Sequence, residues 1–96
     1  MKISEKHMIL NALVSSIRYC ADQSIIRGIY SIDNNYVKDS KKLFLKLNEQ
    51  YFKNSEKTRK SYIEYLEIIL QEINTKLEEE KRAINYDTTR IKEWID

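Results

Sequence analysis

Apolar and polar residues alternate along most of this chain in steps of three and four. The clearest run holds Ile63, Leu66, Leu70, Ile73, Leu77 and Ile84, and only Glu80 interrupts it. That spacing follows the turn of an α-helix and lays one apolar stripe along it. It predicts a helix from Glu56 to Ile84, about 40–45 Å long at about 1.5 Å per residue. Tyr62 and Ile69 widen the stripe, whereas Tyr65 and Ile68 fall outside it.

The same spacing organises the first third of the chain. Leu10, Leu13, Val14, Ile17, Cys20 and Ala21 share one helical face, and Ser4 stands where an N-cap belongs. A second apolar stripe, Met8, Ala12, Tyr19, Ile26 and Tyr30, lies on the opposite side. A helix that is apolar on two faces is either central in its bundle or shared with another chain. The segment Ser24–Ile32 is rich in isoleucine and fits a strand by propensity. It reads as a continuation of the helix because no partner strand is present, with a break near Asp22 as the alternative.

Asp33-Asn34-Asn35 predicts a turn, since these side chains hydrogen-bond their own backbone. A second helix follows from about Tyr36 to Lys53, with Val37, Phe44, Leu47 and Tyr51 facing the core. Leu43, Leu45 and Phe52 widen that face, and Lys38, Lys42, Lys46 and Lys53 gather on the far side. Asn54-Ser55 supplies the next turn and cap. Asn85-Tyr86-Asp87 is expected to end the third helix and start a short fourth, docked through Ile91, Trp94 and Ile95. The predicted fold is all-α: a small antiparallel helical bundle of three long helices plus a short C-terminal helix, one domain over residues 1–96.

Composition sharpens this picture. The chain has no proline and one glycine, which removes the tight turns that sheets depend on. It also removes any glycine-rich phosphate loop. With 42% hydrophobic and 33% charged residues, the chain can bury a core and remain well solvated. The net charge of +2 hides a polarity. Residues 38–60 hold eight Lys/Arg and three Asp/Glu, whereas residues 61–80 hold one Lys and six Glu. Antiparallel packing then lays a basic second helix beside an acidic third.

Chemistry-bearing motifs are scarce. Cys20 is the single cysteine, so it forms no internal disulfide and no multi-cysteine zinc site. It sits on the core stripe, more than three turns from His7, the single histidine, which is expected at the surface. The run Glu78-Glu79-Glu80 reads as a solvated face. No catalytic, metal-ligating or cofactor-binding residue is assigned, and no cofactor is expected. No window reaches the length of a membrane span, no convincing signal peptide opens the chain, and a cytoplasmic location is the expectation.

What remains is surface. Seven tyrosines are many for this length, and tyrosine suits contacts that are part apolar and part wet. Tyr19, Ile26 and Tyr30 on the first helix and Tyr65 and Ile68 on the third are the candidate partner-binding residues. The expected class is a small non-enzymatic protein that binds another protein: an inhibitor, immunity protein or adaptor from a phage, plasmid or bacteriocin system. In size and inferred architecture it resembles the immunity proteins that protect bacteria from their own bacteriocins. A homodimer through the second stripe of helix one is a further candidate assembly. The alternative is a nucleic-acid-binding regulator whose Lys38, Lys42 and Lys46 contact phosphates. The acidic third helix weighs against it by blunting the positive field.

Overall fold

A computed structural model describes the backbone of residues 1–95 and the side chains of residues 1–83. It contains three helices and, among the described residues, no strand: α1 (Ile3–Ile26), α2 (Asn35–Tyr51) and α3 (Glu56–Ile95).

Each boundary has a local cause. α1 begins after Lys2, which makes no side-chain capping bond, so Ser4 lies inside the first turn rather than capping it. The end of α1 corrects the expected continuation through Ser24–Ile32. Gly28 adopts φ +75°, a left-handed conformation that glycine enters without a Cβ penalty. The Gly28 N–H then donates to the Ile25 carbonyl (3.0 Å) and the Ile29 N–H to the Ser24 carbonyl (2.8 Å). This paired closure satisfies carbonyls that the helix end would leave orphaned. α2 starts at the predicted turn, where the Asn34 side chain accepts the Val37 N–H at 2.9 Å. Ser55 caps α3, its Oγ accepting the Thr58 N–H at 3.4 Å.

A short fourth helix does not form as a separate element, because the backbone continues as one helix to Ile95. Asn85-Tyr86-Asp87 contains neither glycine nor proline, and its intrinsic cost within a helix is only about 0.5–0.7 kcal/mol per residue. The expected docking of Ile91, Trp94 and Ile95 lies outside the described side chains.

The helices run up, down and up. Arg18 pairs with Glu72 and Asp22 with Lys76, both at 3.0 Å. The constant offset shows that α1 and α3 run parallel. α2 returns antiparallel to both: the Lys6 ammonium donates to the Tyr51 carbonyl near one end, and the Asn34 amide approaches the Cys20 sulfur near the other. The molecule is elongated, 65 × 20 × 19 Å.

The core contains Leu10, Val14, Ile17 and Ala21 from α1, Val37 and Phe44 from α2, and Phe52 just after it. Leu66, Ile69, Ile73 and Leu77 complete it from α3. Full burial of one large aliphatic or aromatic side chain is worth about 1.5–3 kcal/mol, so this shared core is what holds the three helices together. The α3 stripe is rotated from the sequence expectation: Ile69 is buried, whereas Ile63 is exposed. Leu43 and Leu45 are also exposed. Asn48 takes a core position on α2 that hydrophobicity alone does not assign.

Candidate protein-interaction surface

α1 contacts both other helices along one side and leaves the other side open. Its second stripe lies on that open side. Met8, Tyr19 and Ile26 are 68%, 66% and 75% exposed, and Ala12 and Ser15 between them are exposed as well. Helical geometry makes this unavoidable. Leu10, Val14, Ile17 and Ala21 face the core, and residues at the spacing of Met8, Tyr19 and Ile26 stand about half a turn away.

The stripe is bordered on the α3 side by the Arg18–Glu72 and Asp22–Lys76 ion pairs. On the α2 side the Ser16 and Tyr36 hydroxyls are hydrogen-bonded. Exposed ion pairs of this kind contribute at most about 1 kcal/mol of stability. Their effect on the surface is larger, because they tie two charged side chains at the stripe, Arg18 and Asp22, to α3.

The remaining candidate residues are dispersed. Tyr30 is half-buried in the α1–α2 connection, beyond the Gly28 turn, and so leaves the stripe. It lines a shallow cavity of about 370 Å³ with Ile32, Lys38 and Lys41. Tyr65 and Ile68 are exposed on α3. Ile68 borders Glu72 and Lys76, so the two ion pairs separate it from the α1 stripe. Lys38, Lys42 and Lys46 are exposed on α2. Lys38 pairs with Asp33 at 3.0 Å. Lys42 and Lys46 pair with no carboxylate among the described residues.

Two polar arrangements were not legible beforehand. The first is an aromatic cluster that contains His7, which is half-buried instead of fully exposed. Its ring lies 5.2 Å from Phe52 and 5.4 Å from Tyr62, and Nδ1 is hydrogen-bonded to the Tyr62 hydroxyl. Tyr62 stacks on Phe52 and meets Phe44 edge-on. Burial raises the pKa of Tyr62 above its usual value, and neighbouring Tyr65 adds to the rise. The second surrounds the C-terminus of α2. Lys6 reaches the Tyr51 carbonyl, and the Arg59 guanidinium donates to the carbonyls of Phe52 and Lys53. Cations from α1 and α3 thus meet the negative end of the α2 dipole. The signal for the second was the basic Arg59 in the first turn of α3, which composition alone could not place.

This arrangement presents apolar and charged contact surfaces. Cys20 and His7 engage Asn34 and Tyr62 respectively, not each other. Among the described residues, no group of three or more His, Cys, Asp or Glu could hold a metal ion. No helix is long and apolar enough to cross a membrane among the residues described. Compared with known protein families, curated proteins and solved structures, the chain matches none of them.

Proposed function

We propose that this chain works by binding another protein through the outer face of α1 and carries out no reaction of its own. An inhibitor, immunity-type or adaptor role in the cytoplasm fits that reading. The observation that carries it is the exposure of Met8, Tyr19 and Ile26 along one face of one helix. Large apolar side chains exposed along one helix face are the feature expected of an interaction surface on an otherwise polar protein. The basic face of α2 supports a second reading as a nucleic-acid-binding regulator, since Lys42 and Lys46 are exposed and free of carboxylates among the described residues.

Affinity capture of the tagged chain from its source lysate, at moderate salt and with nuclease present, separates the two. The protein-binding reading expects one enriched protein, lost with Tyr19→Ala or Ile26→Asp and kept with Lys42→Glu plus Lys46→Glu. Recovery of nucleic acid without nuclease, abolished by the lysine changes and by added salt, would replace it with the second reading.

A further inference from the structure

We infer that the partner seated on the outer face of α1 is a second copy of this chain, paired antiparallel about a two-fold axis near Ile17. The inference rests on the reading of that face as a protein-binding surface.

The first support is the spacing. Met8, Ala12, Ser15, Tyr19, Asp22 and Ile26 follow one another in steps of four and three. A repeat of 3.5 residues is the period of a seam between two helices in a left-handed coil. All six positions are exposed. Apart from the Asp22–Lys76 ion pair, the seam therefore has the pattern of a helix–helix contact with no partner among the described residues.

The second support is size. In an antiparallel pair centred near Ile17, Ile26 of one copy faces Met8 of the other, Tyr19 faces Ser15, and Asp22 faces Ala12. The two-fold axis repeats each contact. The tyrosine therefore meets a small side chain, and the two ends of the seam close with apolar pairs. A parallel pair would set Tyr19 on Tyr19, Ser15 on Ser15 and Asp22 on Asp22, and like charges across a seam repel.

The third support is charge. One third of the residues in this chain are charged, yet the seam contains only Asp22, and its flanks Ile9, Asn11, Ser16, Arg18, Gln23 and Ile25 contain only Arg18. Both are held by α3, through Lys76 and Glu72. A neutral, self-complementary surface suits an identical neutral surface, whereas a strongly charged partner would be drawn to the lysines of α2 or the glutamates of α3. A face that contacts its own copy is the usual basis of a two-fold dimer.

Sedimentation equilibrium on the full chain, from a few to about 200 µM, tests this. The expected species has twice the chain mass of 11.6 kDa and persists in high salt. Tyr19→Glu and Ile26→Asp should each return it to the mass of one chain. Both side chains are more than half exposed in the single chain, so helical circular dichroism should be retained. Cysteine cross-linking fixes the orientation. In a Cys20→Ser background, Met8→Cys combined with Ile26→Cys should give an intermolecular disulfide, whereas neither change alone should. Cross-linking of the single variants would overturn the antiparallel arrangement. A wild-type chain that stays monomeric at about 200 µM would overturn self-pairing. Loss of a captured protein with Ile26→Asp would then still uphold the binding face. A dimer unaffected by either seam variant would overturn the assignment of its contact to α1.

Discussion

Asn48 offers the sharpest test of the packing argument. It is 2% exposed, and its Nδ2 donates to the Arg59 carbonyl at 3.0 Å. Its Oδ1 is buried without a partner among the described residues. An unsatisfied buried acceptor costs about 1–3 kcal/mol, whereas the one hydrogen bond that Asn48 makes contributes about 1 kcal/mol. Asn48→Leu removes both and leaves no new orphan, since a carbonyl within α3 accepts the N–H four residues on. Leucine also adds apolar burial beside Leu45 and Ile63, which line the adjoining cavity. Overpacking, typically about 1–3 kcal/mol, offsets part of this gain. The expected net stabilisation is about 1 kcal/mol, which raises Tm by about 4–8 °C for a domain of this size. Thermal and guanidinium unfolding followed at 222 nm measure it, with an unchanged m-value confirming that the native state is retained. Asn48→Asp is the control. It loses the donor to Arg59 and buries a carboxylate, so it should lower Tm steeply. If Asn48→Leu lowers Tm instead, Oδ1 is satisfied in solution and the amide contributes net stability.

Two further outcomes follow from local geometry. Gly28→Ala places a Cβ in a left-handed backbone (φ +75°), where nothing within 4 Å would clash with it. The cost is therefore conformational alone, about 1–2 kcal/mol, and should appear as a lower Tm with unchanged helicity. Burial raises the pKa of Tyr62. A phenol with a raised folded-state pKa stabilises the fold below its unfolded value, near 10, and loses that contribution as pH climbs through the folded value. Stability should thus fall above about pH 10, and Tyr62→Phe should flatten that fall in Tm measured between pH 8 and 11.

Much of the candidate surface was readable from spacing alone. Tyr19 and Ile26 fall half a turn from Leu10, Val14 and Ile17, so any fold that buries the latter exposes the former. Tyr30 was misplaced because its position assumed an unbroken helix, and the helix ends at the Gly28 turn. His7 was misjudged for a different reason. It lies near the N-terminal end of α1, and the rings packed against it, Phe52 and Tyr62, come from elsewhere in the chain.

The sequence by itself determined an all-helical chain, the turn at Asn34 and the cap at Ser55, because periodicity and capping act over a few residues. It also determined which residues line each face of α1. Only the tertiary structure decided that α3 turns Ile63 outward, and that Asn48 is buried on α2 while Leu43 and Leu45 are exposed. It also decided that Arg59 and Lys6 meet at the end of α2. Those outcomes depend on which side of each helix another helix covers. That choice is set by contacts between different helices, from Asn48 with Arg59 to the far more distant Arg18 with Glu72 and His7 with Tyr62, which no spacing within one helix encodes.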